Sequence, residues 1–179
     1  MRSFSATFFL SIVSLSFFAS SSAQASKAPP LKNTDFTAVQ HPYGEATKAP
    51  NEIEKAFTEA QKSKRLVLLD FGANWCPDCR VLAGIFENPE IAKFIKQHFV
   101  FASANVDHLD NENMKIAQDL GVNIQAIPTV LALTPDKKLL NTDALIALGD
   151  ARKMNAQQVL DLLQVWVDRG AKAEQSKPV

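Results

Sequence analysis

The chain has 179 residues, 19 basic and 19 acidic, and 46% of them are hydrophobic. So even a balance gives no electrostatic footing for nucleic acid or an anionic membrane surface, and neither partner is expected. The two cysteines, Cys76 and Cys79, and the histidines His41, His98 and His108 lack the spacing to complete a four-coordinate zinc site, so no metal or cofactor is expected.

Residues 1–25 read as a cleavable secretory signal. Arg2 gives the positive start, residues 8–19 form a short apolar core, and Ala23-Gln24-Ala25 is a small-residue cleavage site. The apolar run ends at Ser20, Ser21 and Ser22, too soon for a membrane anchor. The mature chain is therefore expected to be periplasmic or secreted, with no stable membrane insertion, and to hold one domain. Outside the cytosol a dithiol is not kept reduced by default, so a working pair needs an electron donor or an oxidising partner. Residues 26–50 contain Pro29, Pro30, Pro42 and Pro50 and read as an extended lead-in, with a short strand near 36–39. Within it, His41-Pro42-Tyr43 reads as a surface loop packing one aromatic rather than as a site.

Residues 51–64 read as a helix, with Asn51 as cap, Glu54 at capping-box spacing, and Ile53, Phe57 and Ala60 as the inward stripe. The apolar run 66–71 has the pattern of a central strand covered on both faces. Next come a helix with Val81, Leu82, Ile85 and Phe86 inward, and a second helical piece capped at Asn88-Pro89. A buried strand is expected over 99–106, then a helix over 110–120 ended by Gly121. Thr129–Leu133 reads as a strand, followed by a turn at Thr134-Pro135-Asp136-Lys137 and one or two antiparallel strand pieces within 138–148. Asn155 caps the last helix, Val159, Leu162, Leu163 and Trp166 face inward, Arg169-Gly170 ends it, and residues 171–179 form a flexible tail. The order predicts an α/β fold with a central mixed β-sheet flanked by helices. Its first two strands are parallel through a helical crossover, and its last two form a hairpin.

Cys76 and Cys79 sit where strand 66–71 turns into a helix, in Trp75-Cys76-Pro77-Asp78-Cys79. Two thiols three residues apart share a helix face and can close a small disulfide. Pro77 suits the first helical turn, which puts Cys76 among unpaired N–H groups that favour a thiolate. Cys76 is therefore expected as the exposed nucleophile and Cys79 as the buried resolving thiol. A structural disulfide is the alternative, although so short a loop constrains the unfolded chain little. Asp70 is an acid inside a run that otherwise reads as buried, so its pKa should be raised. Six residues before Cys76, it is placed to relay a proton to or from Cys79, unless it lies exposed at the strand end.

Together, Asp70-Phe71, Trp75-Cys76-Pro77-Asp78-Cys79, the strand 101–107 and Ile127-Pro128-Thr129 resemble the thioredoxin family over residues 51–170. The resemblance implies the thioredoxin fold and thiol–disulfide oxidoreductase activity. It also implies a cis Pro128 against the active-site disulfide, with Ile127 offering its backbone to a bound substrate chain. Trp75, Pro77 and Asp78 would line the same substrate surface. Four departures stand out: Ser103 where a lysine is usual, Gly72 where an aromatic is usual, Pro77-Asp78 for the usual Gly-Pro, and a few extra residues before Gly149. The stretch 70–76 followed by 85–91 looks more like exported thioredoxin-like proteins, including the C-terminal periplasmic domain of DsbD-type electron carriers. Asp78 places a negative charge beside a developing thiolate, which favours the disulfide and hence a reductant. Disulfide-containing client proteins and a membrane electron-carrier donor are the expected partners. An oxidase or isomerase, a non-catalytic binding module, and a copper or haem maturation factor remain as alternatives.

Overall fold

A computed structural model describes residues 27–109 and 112–176. Helix α1 (Ala49–Ser63) starts two residues before the expected Asn51 cap. Pro50 lies in its first turn, where its fixed φ is already helical, and Lys48 precedes it without a side-chain cap. Strand β1 (Leu66–Gly72) follows a left-handed Lys64 at φ 59°. Helix α2 (Pro77–Phe86) and helix α3 (Pro89–His98) meet at Asn88, whose carboxamide oxygen accepts the N–H groups of Glu90 and Ile91. Strand β2 (Phe99–Asn105), helix α4 (Asn113–Asp119), strand β3 (Thr129–Leu133) and helix α5 (Ala156–Gln175) complete the order.

Among the described residues the sheet has the order β2-β1-β3, with β1 parallel to β2 and antiparallel to β3. This mixed sheet between helices is the expected α/β thioredoxin architecture. Strand alternation divides the core. Val67, Leu69 and Phe71 join Ile53, Phe57 and Ala60 of α1 on one face of the sheet, while Leu68 joins Leu82, Ile85, Leu163 and Trp166 on the other. Asp70 shares the Leu68 face by the same alternation, which turns it towards α2. Each large side chain so buried contributes about 1.5–3 kcal/mol.

The expected strand pieces within 138–148 reduce to one isolated bridge between Leu133 and Leu139. Asn141 takes the ladder's place: its side chain accepts from the Ala132 N–H at 3.0 Å and donates to the Val130 carbonyl at 2.8 Å. No strand forms at 36–39 either, where Val39 N–H donates instead to the Arg80 carbonyl at 3.0 Å. Helix α5 begins at the expected Asn155–Gln158 capping box but runs through Gly170 to Gln175. Gly170 faces Leu66, so its missing side chain permits helix–strand contact instead of ending the helix. The expected signal segment 1–25, Asp110-Asn111 and residues 177–179 lie outside the described residues. No described helix is long and apolar enough to cross a membrane.

Candidate functional site

Cys76 caps α2, with its Sγ accepting the Cys79 N–H at 3.2 Å, and the two cysteines are joined by a disulfide. Positive dipole and free N–H groups meet at this sulfur, the arrangement that stabilises a thiolate once the bond is reduced. Cys79 is fully buried. Cys76, expected as exposed, keeps only 4% of its surface because Tyr43 and Ile127 pack against the pair. The Ile127–Pro128 peptide is cis, and the Ile127 carbonyl lies 3.7 Å from the Cys76 Sγ. Pro128 is buried and Ile127 half-buried, at the head of β3.

Trp75 is 54% exposed beside the disulfide. Its indole stacks on His108 and donates to the Asp107 carbonyl at 2.9 Å, which holds it flat. Pro77 is exposed. Asp78, between the two cysteines in sequence, is half-buried. Its carboxylate accepts the Arg152 N–H at 2.9 Å and the guanidinium at 3.1 Å, so a cation offsets its charge. Nothing local to Cys76-Pro77-Asp78-Cys79 announces a partner 74 residues away.

Asp70 is 2% exposed. Burial pushes its pKa up to about 7, and a hydrogen bond from Tyr43 opposes part of that shift. The Tyr43 hydroxyl donates to Asp70 Oδ2 at 2.7 Å, while Oδ1 has no partner among the described residues. Burial holds the Tyr43 phenol protonated well above its usual range, with the Asp70 charge adding to the effect. Asp70 and Ser103 also line a cavity of about 490 Å³ walled by Phe86, Phe99 and Phe101.

Tyr43 is the residue missed in the sequence, where it read as a loop aromatic. It is 3% exposed and packs with both cysteines. One signal was available. A Cβ at Gly72 would lie 2.2 Å from the Tyr43 hydroxyl oxygen, so the vacancy at Gly72 is filled from a distant segment.

A family model described as thioredoxin-like matches residues 48–135. A thioredoxin-like protein from Fusarium culmorum is 32% identical over 107 residues, which cover 59% of this chain and 80% of that protein. Thioredoxin H4 of Arabidopsis thaliana is 37% identical over 40% of this chain, and the match spans 53% of its length, little more than half. A crystal structure described as disulphide isomerase from Xylella fastidiosa Temecula1 superposes with TM-score 0.61 at 33% identity, covering 76% of this chain and 99% of that one. The chain belongs to the thioredoxin-like family and, with its Cys76–Cys79 disulfide, is a thiol–disulfide oxidoreductase.

Proposed function

We propose that the protein is exported and reduces disulfides of client proteins outside the cytosol, drawing electrons from a membrane carrier. Export rests on Arg2, the apolar stretch 8–19 and the Ala23-Gln24-Ala25 site. The observation that carries the reducing direction is the burial of both cysteines, 4% and 0% exposed, against Tyr43 and Ile127. Burial opposes the thiolate that the start of α2 stabilises; in this reading burial outweighs it, which favours the disulfide and makes the dithiol the better donor. Asp78, whose charge points to the same direction, is paired with the exposed Arg152, so burial carries the argument here.

In the proposed reaction a Cys76 thiolate attacks a client disulfide aligned along Ile127-Pro128, over Trp75 and Pro77. A Cys76–client mixed disulfide forms, and the first client sulfur leaves with its electron pair and takes up a proton. Cys79 passes its proton to Asp70 and attacks Cys76 Sγ. The Cys76–Cys79 bond forms, the bond to the client breaks, and the second client sulfur leaves as a thiolate that is then protonated. Two electrons move from the dithiol to the client.

A redox titration against glutathione tests the direction. We expect a potential nearer the about −270 mV of thioredoxin than the about −120 mV of DsbA, and a DsbA-like value would reverse it. Cys79→Ala should trap clients and donor on Cys76 as mixed disulfides, and an empty trap in the exported proteome would contradict the exchange mechanism. The isomerase description of the Xylella structure favours a second reading. Recovery of scrambled, disulfide-rich substrates faster than simple reduction of insulin would support it.

A further inference from the structure

We propose that Tyr43 is a positioning residue for the exchange reaction: while its ring packs on the cysteine pair, its hydroxyl fixes the Asp70 carboxyl and favours the carboxylate form that takes the Cys79 proton. The proposal rests on the exchange reading above and adds the residue that controls its proton acceptor.

Four observations converge on Tyr43. Its hydroxyl donates to Asp70 Oδ2 at 2.7 Å, with both groups buried. Its ring packs with Cys76, Cys79 and Ile127. The ring occupies room that exists only because residue 72 is glycine, two positions along β1 from Asp70. Its main chain is clamped by Asn74, whose carboxamide accepts the Tyr43 N–H and donates to the Tyr43 carbonyl, each at 2.9 Å. Ring, hydroxyl and backbone are therefore all fixed relative to the disulfide by the active-site turn itself.

The neighbours of Asp70 leave this task to Tyr43. Its register partner on β2 is Ser103, which carries no charge. On β3 its partner is the apolar Val130. At the start of α2, Cys76 and Cys79 pack with Tyr43 and ionise only after reduction, while Asp78 is paired with Arg152 and Arg80 is held by Val39 and Gln40. The cavity that Asp70 lines also holds Glu59, Arg65, Glu87 and Lys96. Arg65 is engaged by Glu59 and by the carbonyls of Lys96 and Phe99. An O–H donor stabilises a carboxylate over the carboxylic acid, so removing it leaves burial unopposed. Asp70 would then stay protonated through neutral pH and could not accept the Cys79 proton. With the donor in place, the acid titrates close to working pH, the best condition for a group that must both take and return a proton.

The balance is unchanged from the proposed mechanism. The Cys79 proton goes to an Asp70 oxygen, the Cys79–Cys76 bond forms as the Cys76–client bond breaks, and the departing client thiolate is protonated as Asp70 returns to carboxylate.

Tyr43 is the only tyrosine in the chain, so biosynthetic fluorotyrosine alters this position alone. The test is carbon NMR titration of the Asp70 carboxyl in the labelled, oxidised protein, paired with the pH profile of mixed-disulfide resolution. Tyr43→Phe keeps the ring and removes the donor. It should raise both midpoints by about one pH unit. Fluorotyrosine, a stronger donor, should lower both. Unmoved midpoints in folded Tyr43→Phe would make Tyr43 a packing residue only and overturn the proposal. If that variant does not fold, an unmoved midpoint with fluorotyrosine overturns it instead. Wild-type protein that forms no mixed disulfide at any pH would overturn the exchange reading and this proposal with it, whereas active wild-type protein with unmoved midpoints overturns this proposal alone.

Discussion

A carboxylic acid inside β1 makes stability depend on pH in a sense opposite to most acids. Asp70 rises from an ordinary 3.8 to about 7 in the fold, chiefly through burial. Between those values the folded chain holds a proton that the unfolded chain has released. Its contribution is fully present below 3.8, declines as pH rises, and is gone above about 7. The shift corresponds to roughly 4 kcal/mol. Asp70→Asn should therefore flatten the decline between pH 4 and 7 and stabilise the protein at pH 8 by roughly 2–4 kcal/mol. Denaturant midpoints at pH 4, 6 and 8 check this, and an unchanged slope in the variant would refute the assignment. The buried acid was legible because one aspartate interrupts the run Leu66–Gly72. Its partner was not, because Tyr43 lies 27 residues away in a segment with no periodicity.

Among the elements, the outer edge of β3 shows how a side chain can stand in for a strand. Apolar residues at 139, 140, 145, 146 and 148 suggested continued pairing. Instead the backbone pairs only at Lys138 and Leu140, and Asn141, fully buried, then closes the Val130 carbonyl and the Ala132 N–H. A carboxamide offers N–H donors and a carbonyl acceptor, the same kinds of group that a strand residue would present. Asn141→Ala would leave a buried N–H and a buried carbonyl without partners, a cost of about 1–3 kcal/mol each. We expect a loss of at least about 2 kcal/mol in chemical unfolding. Asn141→Asp, which cannot donate when ionised, should not restore it. Full stability of the alanine variant would show that the edge is satisfied in another way.

At the scale of the whole molecule, the segment before α1 belongs to the domain. Leu31 N–H donates to Gln157 of α5, the N–H groups of Lys32 and Asn33 donate to Glu90, and Asn88 donates to the Asn33 and Asp35 carbonyls. Further along, Val39 pairs with Arg80, and Tyr43 reaches the disulfide. The strap lies so close to α2 that a Cβ at Gly84 would fall 2.1 Å from the Thr37 carbonyl oxygen. Backbone cannot swing aside as a flexible side chain does. Gly84→Ala should cost about 1–3 kcal/mol and expose residues 30–45 to earlier proteolytic cleavage. Limited proteolysis with mass mapping checks this, and a wild-type cleavage pattern would mean that the strap contributes little.

Local chemistry alone determined much of this protein. Continuous apolar runs specified β1 and β3, Asn88-Pro89 and Asn155 with Gln158 specified helix starts, and Cys76-Pro77 placed a sulfur on a helix N-terminus. Each of these depends on residues within one turn or one strand of each other, so the sequence carries them without knowledge of the fold. Tertiary structure alone decided that Tyr43 meets Asp70, that Arg152 takes the charge of Asp78, and that Asn141 replaces a strand. These pairings join segments 27, 74 and 9 residues apart. Only the closing of the chain brings such groups within hydrogen-bond range, and for Tyr43 with Asp70 and for Asn141 burial then makes the partner matter, because an unpaired polar group in the core has no water to turn to.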